Sequence, residues 1–353
     1  MKPAAAARDV PTILPVILSS TVWSILACLP CAVPKARAAD APATPIRAGM
    51  IGLDTSHVPK FTELFNNAKP DGELGGVRVV AGYPGGTDLP LSRDRVAKFT
   101  EQVRGMGVEI VDSIPALLDK VDVVLLESVD GRIHLQEAKQ VIMAGKPLFI
   151  DKPLAGSLAD GIAILDLAKR QGVPCFSCSS MRFGPGIKDL RDDASVGEIV
   201  GAAVWGPCPY QEGTADLLFY GIHGVETLFT LMGAGCETVS RIQTDDTDAV
   251  TGTWTNGRLG TFRGLRRHNA QYGTVAFGTK GIATSTKIDG GYEPLCREIA
   301  TFFKTRRSPV PAEETIEILA FIEAADESAR QGGRAVAVAD VLAKARAAAA
   351  ERR

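Results

Sequence analysis

Apolar residues follow two rhythms along this chain, and the change between them divides it. From residue 47 to about 185, short unbroken apolar runs alternate with stretches of helical spacing. The runs 48–53, 77–81, 108–111, 121–126, 148–150 and 173–177 are predicted as strands. They lack polar alternation, as strands covered on both faces do. Between them, 58–68, 93–104, 133–144 and 157–171 carry apolar residues three and four apart, as at Phe61, Leu64 and Phe65. Strands alternating with helices predict an α/β fold with a doubly wound parallel sheet. Beyond residue 186 the order changes to strand after strand: 199–205, 239–243, 249–254, 259–265 and 272–277, with Asn256-Gly257 as a tight hairpin turn. One helix, 221–232, interrupts them, and two more follow at 293–304 and 312–331. That half is predicted as an α+β domain with a mostly antiparallel sheet. The expected units are 47–185 and 186–340, followed by an Ala-rich tail, 341–353.

The first 46 residues fit neither rhythm. Lys2 and Arg8 give a positive start, 13–33 is largely apolar, and Ala36-Arg37-Ala38 is a small-x-small cleavage pattern. Residues 1–38 therefore read as a secretory signal peptide cleaved after Ala38, followed by an Ala/Pro/Thr linker, 39–46. Pro15, Pro30 and the intervening serines argue against a retained membrane span. A lipid anchor at Cys28 is the weaker alternative. A periplasmic or secreted location is the expectation.

Composition excludes some partners. With 39 basic and 41 acidic residues the net charge is −2, so no general field attracts nucleic acid. The short basic run at 263–267 reads as a solvated strand edge. Past the signal, five cysteines remain (Cys175, Cys178, Cys208, Cys236 and Cys296), an odd set for a disulfide framework. Cys175 and Cys178 are spaced C-x-x-C, but in a strand such positions face opposite sides. Buried core thiols are expected there, and no metal site.

The residues with chemical potential cluster at predicted strand ends. The segment Gly49-Met50-Ile51-Gly52-Leu53-Asp54-Thr55-Ser56-His57 sits where a dinucleotide fold carries G-x-G-x-x-G. Only Gly52 matches; Asp54 and His57 replace the second and third glycines. A carboxylate at Asp54 near the phosphates would repel them, so Asp54→Gly is expected to strengthen dinucleotide binding. The alternative is that Asp54, Thr55 and Ser56 cap the helix. The second strand ends without a timely acidic residue, Asp88 coming late; Arg93 or Arg95 would meet a ribose phosphate or else start a solvated helix. Lys152, where a parallel strand ends, lies at the crevice in which such sheets bind ligands, and Pro153 fixes the turn after it.

A series of motifs adds to this. Leu125-Leu126-Glu127, then His134, Ala144-Gly145-Lys146-Pro147 and Asp151-Lys152-Pro153 are followed by Arg182-Phe183-Gly184-Pro185, Gly221-Ile222-His223 and Phe277-Gly278-Thr279-Lys280-Gly281. In this order they resemble the glucose-fructose oxidoreductase/inositol dehydrogenase (Gfo/Idh/MocA) family over about residues 46–340, with Asp151-Lys152-Pro153 in place of that family's Glu-Lys-Pro. The resemblance implies NAD or NADP as cofactor and a sugar or polyol as substrate. It makes Gly52, Asp54, Thr55, Ser56, His57, Glu127, His134, Asp151 and Lys152 cofactor-binding candidates. It also implies proton transfer by His223, with Lys152 on the same oxygen, Arg182 lining the cleft, and association into a homo-oligomer. The family's Asp four residues before this His is Phe219 here. Glu226, one helical turn on, is expected to orient the imidazole instead, with Tyr220 contributing a hydroxyl. Two other classes stay open: an exported carbohydrate-binding or accessory protein without hydride transfer, and a glycoside-cleaving enzyme that retains NAD.

Overall fold

The computed structural model describes residues 44–70, 72–267, 271–286 and 288–352. The signal peptide and nearly all of the linker expected at the N-terminus lie outside them. The described residues pack as one compact unit built on two sheets.

The first sheet is parallel throughout. Its strands are β1 (Ile46–Ile51), β2 (Val77–Tyr83), β3 (Glu109–Ile110), β4 (Val123–Leu126), β5 (Leu148–Asp151) and β6 (Cys175–Cys178), in the order β3-β2-β1-β4-β5-β6. The strand order reverses between β1 and β4, and such switch points open a crevice at the carboxyl ends of the strands. Every residue of β4 and β5 is buried, as expected where helices cover both faces. The helix Leu158–Gln171 is bounded as its sequence predicts: Ser157 Oγ accepts from the Asp160 amide, and Gly172 ends it at φ 64°. The predicted helix 93–104 is instead two pieces, Pro90–Arg93 and Val96–Gly105. Pro90 takes the first helical position, which suits its fixed φ and missing N–H.

The second sheet is mixed and mostly antiparallel. It contains β7 (Ile199–Pro207), β8 (Cys236–Gln243), β9 (Thr247–Trp254), β10 (Leu259–Leu265), β11 (Gly273–Gly278), β12 (Ile282–Ser285) and β13 (Val336–Ala337), ordered β12-β11-β7-β10-β9-β8-β13. Only β7 and β10 run parallel. Asn256 and Gly257 both take positive φ, 64° and 72°, as the hairpin turn requires. Alternating burial along β9 and β10 shows that one face is covered, by the helices Ile222–Met232 and Ala312–Arg330. The other face presents an apolar row, Leu259, Gly201, Phe277 and Ile282, across β10, β7, β11 and β12.

The late helices do not stay with the second sheet. Tyr292–Thr305 crosses back onto the first, where Phe302 packs edge-on against Phe176 and joins a cluster with Met50, Leu125 and Phe149. Among the described residues no helix is long and apolar enough to cross a membrane, and Cys175, Cys178, Cys208, Cys236 and Cys296 are free thiols.

Candidate active site

A cleft of about 820 Å³ opens at the carboxyl ends of β1, β4 and β5. Thr55, Ser56 and His57 reach it from β1, Val129 from β4, and Asp151 and Lys152 from β5. Across from them stand Phe219, Tyr220 and His223 from the start of the helix Ile222–Met232, with Tyr272 at the foot of β11 and Tyr292. The two residues expected to share a substrate oxygen therefore line one cavity. Lys152 enters from the first sheet, and His223 from the helix that covers the second.

His223 is held by a residue the sequence did not single out. Ser179 Oγ lies 2.7 Å from its Nδ1, and Oγ also accepts from the Met181 amide at 3.2 Å. Burial first, and the Lys152 cation second, hold the imidazole well below the ordinary histidine pKa, so it is neutral at physiological pH. In the tautomer whose Nδ1–H donates to Ser179, the free Nε2 lone pair is that of a proton acceptor. The Tyr220 ring stands edge-on to the imidazole at 5.1 Å, and Tyr272 at 6.2 Å. The Tyr272 hydroxyl is buried without a hydrogen-bond partner among the described residues, a group suited to a polar ligand.

Two expectations fail here. Glu226 does not orient His223: it is buried and accepts from Arg182 Nε at 2.7 Å. Arg182 in turn does not line the cleft. Its side chain is 8% exposed and pairs with Glu226 and with Glu314, each at 2.7 Å. The physical reason is desolvation: a guanidinium this deep requires carboxylate partners, and it takes the two nearest. Contacts of this kind, 44 residues apart in sequence, leave no spacing signal.

The glycine-loop region also differs from expectation. Asp54 is fully buried, facing away from the cleft. Its carboxylate accepts from Ser92 Oγ (2.6 Å) and the Val129 amide (2.8 Å), while burial pushes its pKa up. It does not cap the helix His57–Asn66; it ties the β1 loop to the segments after β2 and β4. Asp54→Gly would therefore take the acceptor from the buried Ser92 hydroxyl and the half-buried Val129 amide. We expect it to destabilise the protein by roughly 2 kcal/mol and to weaken dinucleotide binding rather than strengthen it. Thermal unfolding and titration calorimetry of both forms check this. Gly52 is needed where it stands: φ is +81°, and a Cβ would meet Ser128 backbone atoms at 2.4 Å.

Thr55 is buried at the cleft wall, and its Oγ1 has no hydrogen-bond partner among the described residues. His134, a cofactor candidate by resemblance, is enclosed instead. Its ring nitrogens lie 2.8 Å from Ser128 O and 3.3 Å from Leu154 O, pinning the loop after β4 to the loop after β5. Arg95 lines the cleft, whereas Arg93 pairs with Asp94 and Asp88 with Arg132. Glu127, Asp151 and His57 meet at the cleft floor: His57 Nδ1 is 3.0 Å from Asp151 Oδ2 and 3.8 Å from Glu127 Oε2.

Beside the floor, Glu137 accepts from Ser128 Oγ at 2.7 Å, and burial raises its pKa to about 7. The folded state thus holds a proton that the unfolded chain releases near its ordinary value. The stability this contributes is complete at acid pH and lost as pH rises through about 7. Urea unfolding across pH 4.5–8 should show wild type losing up to about 3 kcal/mol relative to Glu137→Gln over that window.

Comparison with known proteins agrees with this architecture. Residues 90–178 match the Gfo/Idh/MocA profile, described as an oxidoreductase family with an NAD-binding Rossmann fold. The resemblance is thus shown over the segment that holds Glu127, His134 and Asp151-Lys152-Pro153. No curated protein sequence matches the chain. Among solved structures, GenD2 from gentamicin A biosynthesis, in complex with NAD, is 16% identical. It superposes with a TM-score of 0.69 over 86% of this chain and 99% of its own. A putative myo-inositol dehydrogenase from Sinorhizobium meliloti is 17% identical, with a TM-score of 0.68 over 83% and 99%. Scyllo-inositol dehydrogenase from Lactobacillus casei, with bound NAD(H) and scyllo-inositol, is 15% identical, with a TM-score of 0.68 over 84% and 99%. At these identities the likeness establishes a shared fold.

Proposed function

We propose, from the premise that residues 90–178 are of the Gfo/Idh/MocA oxidoreductase type, that the chain moves a hydride between NAD(P) and a hydroxyl-bearing carbon of a sugar or polyol. The observation that carries this is the meeting of Lys152 and a neutral His223 in one cleft at the strand switch point. The site fits a nicotinamide dinucleotide. Thr55, just ahead of the helix His57–Asn66, offers an unpartnered buried hydroxyl at a helix start, where anions are favoured, and Asp54 keeps its carboxylate out of the way. The nicotinamide, when bound, supplies the hydride acceptor or donor.

The chain's own residues do the rest. His223 Nε2 takes the hydroxyl proton, while Nδ1–H stays on Ser179 and fixes the ring. Lys152 stabilises negative charge developing on the same oxygen. The Tyr220 and Tyr272 hydroxyls are placed to receive neighbouring hydroxyls of a polyhydroxylated ligand. Incubation with NAD⁺ or NADP⁺ and a panel of inositols and sugars, with products identified by mass, tests this reading. A product two hydrogens lighter supports it. Cleaved glycosides would favour the NAD-retaining glycoside-cleaving alternative, and unchanged ligands that nonetheless bind would favour a binding protein.

Export is proposed on residues 1–38 alone. Intact-mass analysis of the protein from its native host should give a chain beginning at Ala39; a soluble form retaining Met1 or Lys2 would count against it.

A further inference from the structure

Three side chains of metal-ligand type converge from three adjacent strand ends at the cleft floor. His57 follows β1, Glu127 follows β4, and Asp151 ends β5. One ligand atom from each lies within 4.8 Å of the other two. Glu127 is fully buried and Asp151 nearly so, while the His57 side chain is 12% exposed, toward the cleft.

What distinguishes the cluster is the Glu127 carboxylate, enclosed without a hydrogen bond. Neither oxygen of Glu127 has a partner among the described residues, and neither has His57 Nδ1. His57 Nδ1 stands 3.0 Å from Asp151 Oδ2. Other buried carboxylates in the molecule are treated differently: Asp54 accepts two hydrogen bonds, and Asp248 accepts from Arg241 and Tyr210. A carboxylate enclosed with no donor is costly, so such groups take up a proton, pair with a cation or coordinate a metal. The nearby Lys152 offsets charge through space, but it gives the Glu127 oxygens no bond.

We infer that His57, Glu127 and Asp151 form a site for a divalent cation of the zinc class, open on one side to the cleft. One imidazole and two carboxylates suit zinc, and the two negative charges balance the ion. Metal–ligand bonds of about 2.0–2.2 Å in a tetrahedron place ligand atoms about 3.4 Å apart. The two distances from His57, 3.0 and 3.8 Å, bracket that spacing, and the Glu127 and Asp151 ligand atoms, within 4.8 Å of each other, would close on the ion by side-chain rotation. Three protein ligands with the remaining position facing solvent is the pattern of a catalytic rather than a closed structural site. Its fourth ligand would be a water or an oxygen of a carbohydrate or polyol in the cleft. The inference does not rest on hydride transfer; the cation site stands whether or not a dinucleotide binds.

The test is titration of the chelator-stripped full chain with Zn²⁺ by calorimetry, with Co²⁺ as a spectroscopic probe in parallel. Wild type should take up one Zn²⁺ per chain, and Co²⁺ should give the visible absorption of a low-coordinate centre. Glu127→Gln, which keeps the side chain's shape, and His57→Gln should each weaken Zn²⁺ binding at least about tenfold. Circular dichroism in chelator confirms that the variants fold. If Glu127→Gln fails to fold, His57→Gln, at the cleft surface, decides alone. No saturable uptake by wild type, or equal uptake by wild type and the folded variants, overturns the site. NADH titration of the same metal-free protein reads the dinucleotide claim separately.

Discussion

Lys152→Ala and His223→Ala should each lower turnover by about 10²–10⁴-fold, the range for loss of one group that handles a proton or its developing charge. Both residues face one cavity from opposite walls. If they serve one oxygen, the double variant should lose far less than the product of the two single losses, because groups acting as a unit are non-additive. Folding should survive: Lys152 is half-buried at the cleft, and the hydrogen bond from the Thr227 side chain to the His223 main-chain carbonyl is untouched by the substitution. Initial rates on whichever polyol or sugar first shows turnover supply the measurement. Near wild-type turnover in either single variant would remove that residue from the mechanism. The neutrality of His223 adds a pH expectation. Its acid limb should lie below the ordinary histidine range, because burial and Lys152 both disfavour the imidazolium.

The second large effect is on stability. Glu226→Ala leaves the Arg182 guanidinium, buried and charged, with Glu314 as its remaining ion-pair partner. Breaking a buried pair from one side costs about 3–5 kcal/mol, so the melting temperature should fall by roughly 6 °C or more. If Glu226 served to orient His223, the same substitution would instead cost turnover in protein that is still fully folded. Measuring melting temperature and kcat together below the variant's unfolding range separates the two roles. We expect a large stability loss with turnover within a few-fold of wild type.

The alternation of apolar runs and helical stretches was enough to reveal both sheets, because it reflects burial on both faces in one and on a single face in the other. β12 and β13 were missed because four and two residues are too few to set a period. The return of Tyr292–Thr305 to the first sheet was also hidden, since an amphipathic helix shows that it packs but not against what. At the site, a strand end pointed to Lys152, while Asp151 and His223 came with the family resemblance. Side-chain direction was not legible. Asp54 was visible as an odd residue in a glycine position, yet only the fold shows it turned inward onto Ser92 and Val129. Ser179 carries no motif, and Arg182 and Glu226 each had a more familiar role to suggest. The His57–Glu127–Asp151 cluster was equally hidden, because its members are separated by whole βα units and share no ligand spacing.

The central claim is that the cleft holds a nicotinamide dinucleotide beside Lys152 and His223. Fluorescence titration of the purified protein with NADH and with NADPH tests it most directly. One saturable site per chain for at least one of the two, displaced by the oxidised form, is the predicted result. Absence of saturable binding for both up to about 1 mM, a free energy weaker than roughly −4 kcal/mol, would contradict it.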